Sequence, residues 1–364
     1  MQNWAAVGRS KVELRTPALL LDIDAVDRNI AKMAAFFRPR PCQLRPHVKT
    51  HKSPFIAHRQ IRAGAIGITC AKLEDAKGFV NAGIDNVLIA NEVPEDKMPD
   101  LIGLARVARV IACVDSFENA SALSKLALKA KTRIDVLAEV DVGLGRCGVA
   151  PGQPALEFVQ RISALRGLSF RGLNGYEGGV FLLDQAEKLR VCQQRNQLLL
   201  DTRALLEKSG IAVEIVSAGG SNTHAITGLR EGITEIQPGS YVTMDAWNLK
   251  FGQPFDLAIT VLATVISRPR PDLAVIDAGL KAISTDYGLP TVRNVEGVEI
   301  KALTDEEHGR LVLSGSATDL PLGARVELIP THGCTTIPLH SEYVVMMDGA
   351  AVDVVPVMSR GATY

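Results

Sequence analysis

The chain has 364 residues, of which 47% are hydrophobic and 22% are charged, and this is the composition of an ordinary globular protein. Basic and acidic residues number 40 each, so the formal net charge is zero. A neutral chain without a basic stripe excludes a nucleic-acid partner. It has no apolar run of about 18 residues and no signal-peptide pattern at its start, so we expect no membrane partner. Six cysteines without paired spacing favour reduced thiols and a cytoplasmic location.

Apolar strand-like runs alternate with helix-like segments through the first two thirds of the chain. The expected strands are 16–22, 44–52, 67–70, 86–90, 110–114, 134–140, 170–175, 213–217 and 235–237. The expected helices are 25–37, with Asp24 as its cap, 54–63, 72–81, 99–107, 117–129, 155–163 and 183–209. About eight such alternations predict an α/β chain whose first domain, residues 17–248, is a (β/α)₈ TIM barrel.

Beyond residue 248 the helical spacing gives way to short β-rich runs separated by turn residues such as Asp348-Gly349. The expected strands are 261–266, 273–277, 298–300, 325–329 and 343–347. We therefore predict a mainly antiparallel β domain over residues 249–364, completed by residues 1–16.

The segment from Leu44 to Lys52 carries the first candidate chemistry. If it is a strand, its period of two places Arg45, His47 and Lys49 on one face. Neighbouring cations favour the neutral form of a lysine, and a neutral lysine amine can attack a carbonyl group. The common alternative is that such lysines only solvate the end of a strand.

In a barrel of this kind the catalytic groups lie at the carboxyl ends of the strands. Those ends supply Lys49, the run 141–146, Tyr176-Glu177 and the run Gly219-Gly220-Ser221-Asn222, which is shaped to let an anion approach the backbone. The spacing of glycines in 143–148 resembles a dinucleotide fingerprint. The run lacks the helix and the downstream carboxylate of that motif, so we reject dinucleotide binding and interpret Arg146 as a cation directed at the site.

In the β domain, His332 and Cys334 are two residues apart and share one face if the chain is extended. An imidazole and a thiol in this arrangement can chelate a divalent metal such as zinc. Incidental packing is the commoner explanation of such a pair. A catalytic metal whose open positions are filled by water or substrate needs few protein ligands, so two ligands are compatible with the metal hypothesis.

Six motifs in chain order then match a family. They are Arg-Pro-His-Val-Lys at 45–49, the run 139–148, Gln237-Pro-Gly-Ser-Tyr, Asp-Ala-Gly-Leu-Lys at 277–281, Asp-Glu-Glu-His-Gly at 305–309, and His332-Gly-Cys334. Nearly the whole chain resembles the metal-activated D-threonine aldolases and D-serine dehydratases, which are alanine-racemase-like (fold-type III) enzymes that use pyridoxal 5'-phosphate (PLP).

This resemblance implies that Lys49 holds PLP as a Schiff base and that His332 and Cys334 hold a divalent metal, namely Zn, Mn or Mg. It also implies a homodimer and a small β-hydroxy amino acid as substrate. The other residues that it implies for cofactor binding are Arg146, Tyr176, Gly219, Gly220, Ser221, Asn222, Gln237, Gly239 and Tyr241.

The chain departs from both branches of this family. The aldolases carry a histidine after the tyrosine that matches Tyr176, where this chain has Glu177, and they tend to have an aspartate at the position of Cys334. Cys334 matches the dehydratases, whereas the run 305–309 is closer to the aldolases. Glu177 is therefore a candidate base for the substrate hydroxyl, or a residue that hydrogen-bonds a neighbour, and His47 is a candidate to order the lysine segment.

The sequence thus predicts a lyase that cleaves β-hydroxy-D-amino acids to glycine and an aldehyde. The first alternative is a dehydratase of D-serine or D-3-hydroxyaspartate that releases a 2-oxo acid and ammonia. An amino-acid racemase would need two opposed bases and no metal. A non-catalytic PLP carrier remains a further alternative, although the long β-rich tail argues against it.

Overall fold

The computed structural model describes residues 4–361. Its strands are β1 (Ala18–Asp22), β2 (Gln43–Leu44), β3 (Ile68–Cys70), β4 (Asn86–Glu92), β5 (Arg109–Val114), β6 (Ile134–Glu139), β7 (Leu168–Gly175), β8 (Ile215–Ala218), β9 (Glu235–Ile236), β10 (Ile259–Arg270), β11 (Leu273–Ile276), β12 (Thr291–Val292), β13 (Val298–Ala302), β14 (Gly309–Leu313), β15 (Arg325–Ile329), β16 (Glu342–Met347) and β17 (Ala350–Pro356). Its α-helices are α1 (Ile23–Phe37), α2 (Pro54–Arg62), α3 (Leu73–Asn81), α4 (Met98–Leu104), α5 (Phe117–Lys129), α6 (Gln153–Ser163), α7 (Gln185–Lys208), α8 (His224–Thr227), α9 (Ala246–Lys250) and α10 (Gly333–Thr336).

Eight parallel strands form the first sheet, in the order β2-β9-β8-β7-β6-β5-β4-β3. A backbone bridge between His47 and Thr69 joins the chain after β2 to β3, so the ring closes. Helices follow the strands along the chain, and this confirms the predicted barrel. The compact unit that contains the barrel consists of Met33–Lys49 and Ala57–Gly239.

The barrel strands are apolar because they are covered on both faces. In β5, every residue from Val110 to Val114 is buried, and β6 is buried at all but one position. Side chains from neighbouring strands meet in one apolar cluster, formed by Leu88, Ile111, Cys113, Leu137 and Ile215. Continuous apolar runs therefore mark the strands, as the sequence suggested.

A nine-stranded sheet forms the second unit, which extends up to Lys32 and also includes Thr50–Ile56 and Ser240–Gly361. Its main path is β13-β14-β11-β10-β1-β16-β17, and β15 pairs with both β10 and β12. All of these pairs are antiparallel except β1 with β16. The predicted mainly antiparallel β domain is confirmed as a fold class.

The strand β1 is where the structure departs most from the expected domain organisation. The alternation placed it in the barrel, yet its residues pair with β10 and β16 of the other sheet. A short apolar run carries no information about its partner, so its position before the first helix was misleading. The cap of α1 also lies two residues earlier than predicted, because Asp22 Oδ1, and not Asp24, accepts the amide of Ala25 at 2.9 Å.

The strands β12, β14 and β17 were not predicted. β17 is the return strand of a hairpin with β16 that turns at the predicted Asp348-Gly349. The predicted domain bounds also include residues 1–3 and 362–364, which lie outside the described residues. Among residues 4–361, none of the helices is long and apolar enough to cross a membrane.

Candidate active site

The carboxyl ends of the parallel barrel strands carry most of the predicted site residues. Lys49 follows the bridge at His47, Arg146 follows β6, and Tyr176 directly follows β7. The predicted run Gly219-Gly220-Ser221-Asn222 follows β8, and Gln237 and Gly239 follow β9. Because parallel strands end at one edge of a sheet, the topology brings these residues to the same mouth of the barrel.

The lysine segment is a turn rather than a strand. Regular pairing ends at Leu44, a single bridge follows at His47, and Lys49 is an exposed residue of the turn that comes next. The backbone amide of His47 donates to the carbonyl of Pro238 at 3.0 Å. The imidazole Nδ1 of His47 accepts a hydrogen bond from the backbone amide of Lys49 at 3.4 Å, so His47 orders the backbone that presents the lysine.

The expected row of three cations on one strand face does not form, because Arg45 is buried and paired with a carboxylate inside the barrel. Its side chain is 2% exposed, and its Nε lies 2.9 Å from Oε1 of Glu235, which is 3% exposed. Its Nη1 also donates to Asn86 Oδ1 at 2.9 Å. A buried arginine needs such a partner, and Glu235 lies on a strand that the local pattern of 45–49 cannot reveal.

The glycine-rich run 143–148 is folded around the carboxylate of Asp141. Its Oδ1 accepts the amides of Gly143, Leu144 and Gly145 at 2.9–3.0 Å, and these hydrogen bonds lower the pKa of the Asp141 carboxyl. Amides that serve an internal carboxylate cannot also cradle a pyrophosphate. The loop therefore acts as a rigid support for Arg146.

The loop is also fixed at its far end by Glu92, Asp115 and Cys147, whose donor atoms lie within 4.8 Å of one another. The amide of Gly148 donates to Asp115 at 3.0 Å, and the Cys147 thiol hydrogen-bonds Glu92. These contacts bind the Arg146 loop to the ends of β4 and β5.

Tyr176 brings Arg146 and the Gly219 loop together. The guanidinium carbon of Arg146 lies 5.9 Å from the centre of the Tyr176 ring. A Cβ on Gly220 would lie 3.5 Å from the same ring, so Tyr176 covers this glycine. Gly219 has φ +71°, and a Cβ there would lie 2.7 Å from Ile236 Cγ1, so the position requires glycine.

Glu177 lies beneath this loop and is 0% exposed. Its Oε2 accepts the amide of Gly219 at 3.0 Å, and its Oε1 accepts the hydroxyl of Thr227 at 2.5 Å. Both carboxylate oxygens therefore serve the protein itself. This arrangement favours a supporting carboxylate over a base that faces a substrate.

The predicted anion loop retains one unused polar atom. The amides of Gly219 and Gly220 donate internally, the second of them to Thr223 Oγ1 at 3.0 Å. In contrast, Oδ1 of Asn222 is buried without a hydrogen-bond partner among the described residues. A buried acceptor of this kind is one that an ordered water or a bound ligand can satisfy.

A polar network joins four strand ends below the mouth. Asn174 Nδ2 donates to Oε2 of Glu139, and Gln237 Nε2 donates to Asn174 Oδ1 and Ser217 Oγ at 2.7 and 2.8 Å. Burial raises the pKa of the Glu139 carboxyl to about 7, although its hydrogen bond to Asn174 opposes the shift. The amide of Gln237 is thus part of the scaffold.

In the β-rich unit, His332 and Cys334 are neighbours, but the predicted extended geometry is wrong. His332 is the N-cap of α10, and Cys334 lies in its first turn. The imidazole hydrogen-bonds both Cys334 and Asp286. Burial by itself lowers the pKa of His332, but the two hydrogen bonds have the larger effect and raise the pKa to about 9. Tyr241 belongs to the same unit, is 1% exposed and packs edge-on against Phe255 at 5.5 Å.

Two residues that hold site residues in place, Arg195 and Asp286, carry no motif in the sequence. Arg195 of α7 donates to the carbonyls of Glu177, Gly178 and Gly143 at 3.3, 2.5 and 2.8 Å. No local signal marks it, because an arginine on an otherwise polar helix face is ordinary. Asp286 was also missed, although its position in the run Ser-Thr-Asp-Tyr-Gly marks a turn.

The barrel, the β-rich unit and a lysine after the first barrel strand define an alanine-racemase-like protein. Residues 21–246 match the family described as alanine racemase, N-terminal domain, and residues 258–346 match a serine dehydratase domain. The chain belongs to this alanine racemase family.

Individual relatives show which branch of the family the chain resembles. It is 38% identical to a D-threonine aldolase from Arthrobacter sp, over 98% of this chain and 96% of that one. It is 31% identical to the D-threo-3-hydroxyaspartate dehydratase of Delftia sp. (strain HT23), over 89% of this chain and 92% of that one. The crystal structure of D-threonine aldolase from Filomicrobium marinum superposes with a TM-score of 0.95 at 36% identity and covers both chains completely.

Proposed function

We propose that this chain is a PLP- and divalent-metal-dependent lyase that cleaves β-hydroxy-D-amino acids to glycine and an aldehyde. The observation that carries the proposal is the shared position of Lys49, Arg146, Tyr176 and the Gly219–Asn222 loop at one mouth of the barrel. Similarity to a D-threonine aldolase over nearly the full length of both chains favours this reaction among those of the family.

The residues present suit PLP. The loop that follows β8 has a shape fixed by Glu177 and Thr223, and the buried Oδ1 of Asn222 has no hydrogen-bond donor among the described residues. Rotation of the Asn222 side-chain amide by 180° presents its NH₂ group as a donor. We assign phosphate binding to the loop Gly219–Asn222, in which Ser221 and Asn222 would supply the contacts, while Gly219 and Gly220, whose amides donate within the protein, give the loop its shape. Contacts with the rest of the cofactor are assigned to Arg146, Tyr176, Gln237, Gly239 and Tyr241.

Lys49 is the residue that would hold the cofactor and move the proton. PLP supplies an electron sink for the bond that breaks at Cα. The turn ordered by His47 presents the Lys49 amine at the mouth, where it can bind the cofactor carbonyl and later exchange a proton with the substrate. Arg146 places a fixed positive charge beside the Tyr176 ring and so favours the anionic groups of cofactor and substrate.

His332 and Cys334 would hold the metal, whose role is to polarise the hydroxyl group of the substrate. An imidazole nitrogen and a thiolate sulfur suit zinc better than magnesium or manganese, which prefer oxygen ligands. We therefore propose Zn²⁺ as the preferred ion. The family resemblance implies a homodimer, and the cysteine pattern implies the cytoplasm; both stay predictions.

A dehydratase is the second candidate. Cys334 resembles the residue that the dehydratase branch has at this position, and a dehydratase is 31% identical to this chain. The two reactions differ in which bond breaks. Loss of the Cβ hydroxyl yields a 2-oxo acid and ammonia, whereas cleavage of Cα–Cβ yields glycine and an aldehyde.

The test is incubation of the purified protein with D-threonine, D-serine and D-3-hydroxyaspartate, followed by quantification of glycine, aldehyde, 2-oxo acid and ammonia. We expect glycine and acetaldehyde from D-threonine, loss of turnover after chelation, and recovery on addition of Zn²⁺. Lys49→Ala should abolish both turnover and the visible absorbance of the bound cofactor, and Lys129→Ala, at an exposed position of α5, is the matched control. Ammonia as the main product would favour the dehydratase, and full activity of Lys49→Ala would refute the proposal.

A further inference from the structure

The imidazole of His332 is held by a carboxylate that no sequence motif marked. Asp286 Oδ2 lies 2.6 Å from His332 Nδ1. The other oxygen, Oδ1, accepts the hydroxyls of Ser284 and Thr335 at 2.8 and 3.0 Å. Both oxygens of Asp286 are thus engaged, so the carboxylate has a defined orientation when it meets the histidine.

An aromatic ring fixes the same imidazole from its face. The Tyr287 and His332 rings are stacked, with centres 4.2 Å apart and planes within 2° of parallel. Trp247 packs against Tyr287 at 4.8 Å and limits its movement. Rotation of the imidazole about its Cβ–Cγ bond would drive its edge into Tyr287, so the ring plane is set.

These two contacts determine which ring nitrogen is available. An Nδ1 that donates its proton to Asp286 leaves Nε2 as the nitrogen that can bind a metal ion. Histidines that bind metals commonly donate their other N–H to a carboxylate in this way, which orients the ring and makes it a better ligand. The arrangement around His332 therefore has the form of a supported metal ligand.

We propose that Asp286 is a positioning residue for the metal ligand His332, and that Tyr287 holds the imidazole in its plane. This inference rests on the metal role proposed above for His332 and Cys334. Asp286 is not itself a ligand in this proposal, because its two oxygens already accept hydrogen bonds from three side chains.

The test is measurement of the Zn²⁺ dissociation constant of the PLP-loaded protein by competition with a chromogenic chelator. Asp286→Ala should weaken Zn²⁺ binding by about 10- to 100-fold, the range found when such supporting groups are removed. Asp286→Asn keeps the side-chain volume and keeps the proposal testable if the alanine variant does not fold; it should weaken binding by a smaller factor. Tyr287→Phe should bind like the wild type, whereas Tyr287→Ala should bind more weakly.

Asp272→Ala is the matched control, since Asp272 pairs with Arg270 on the surface of the same unit. Co²⁺ substitution provides a second readout, because the absorption bands of cobalt bound to thiolate and imidazole report ligand geometry. Unchanged Zn²⁺ affinity in both Asp286 variants, with loss of binding in His332→Ala, would overturn the inference and leave the proposed function intact. Unchanged affinity in His332→Ala and Cys334→Ala would instead refute the metal site itself.

Discussion

At the scale of single residues, chemical type alone does not define a role. Glu177 and Lys49 both carry charges at the mouth of the barrel, yet Glu177 is 0% exposed while Lys49 is exposed in a turn. The buried carboxylate accepts two hydrogen bonds that shape the Gly219 loop. Its surroundings thus favour a supporting role over the base that the sequence suggested.

Substitution of Glu177 by glutamine tests this assignment. Glutamine keeps the shape but cannot accept on both sides, so one hydrogen bond to a charged group is lost, which is worth about 1.5–3 kcal/mol. We expect PLP affinity to fall by about tenfold or more, with kcat at saturating PLP nearly unchanged. Titration with PLP, followed by its visible absorbance, and steady-state kinetics separate the two effects. A large loss of kcat with normal PLP affinity would show that Glu177 is the base.

At the scale of elements, α7 anchors the loops that carry the site. Arg195 projects from this helix to the carbonyls of the Tyr176–Gly178 turn and of Gly143. One guanidinium thereby joins the loop of Arg146 to the loop of Tyr176. The loops have little regular pairing of their own, so a shared anchor determines their spacing.

Removal of this anchor should loosen both loops together. For Arg195→Ala we expect about tenfold weaker PLP binding, because the loss of hydrogen bonds from a charged donor leaves the carbonyls of the buried residues Glu177 and Gly178 unpaired. Arg195→Lys can restore only part of the effect, since an ammonium group lacks the planar fork. Arg190→Ala, on an exposed face of the same helix, is the control. Equal PLP affinity in Arg195→Ala and Arg190→Ala would contradict the anchoring role.

At the scale of the whole molecule, the barrel contains charged groups that its apolar strands must accommodate. Arg45 and Glu235 do so as a buried pair, whereas Glu139 does so by retaining its proton to higher pH. Burial raises the pKa of Glu139 to about 7. The stability of the protein therefore depends on pH near neutrality.

The sign of this dependence follows from the order of deprotonation. Below the ordinary pKa of 4.5, Glu139 is protonated in both states, and as the pH rises to about 7 the unfolded chain loses its proton first. The stabilisation present at low pH is thus lost through this window, at a cost of about 3 kcal/mol. Glu139→Gln should remove this slope, so that the variant gains on the wild type between pH 5 and pH 8.

Urea unfolding of both proteins across this pH range measures the difference, and Glu231→Gln on the surface is the control for loss of a carboxyl group. A constant stability difference between Glu139→Gln and the wild type at every pH would show that Glu139 does not titrate in this window.

The sequence by itself determined the alternation of strand and helix, the change to β-rich structure after the barrel, and the residues at the strand ends. These features follow from local periodicity and from the position of each residue relative to its own strand, both of which are written in neighbouring residues. This is why Lys49, Arg146, Tyr176 and the Gly219 loop could be selected before their contacts were known.

Only the tertiary structure decided which groups meet. Arg45 finds Glu235 across 190 positions of chain, β1 pairs with the second sheet, and Asp286 reaches His332 across 46 positions. Such partners satisfy charge and hydrogen bonding that no local pattern encodes, because burial is a property of the packed chain. The roles of Glu177 and Asp286 depend on that burial and on those partners, so the sequence left two roles open for Glu177 and did not mark Asp286.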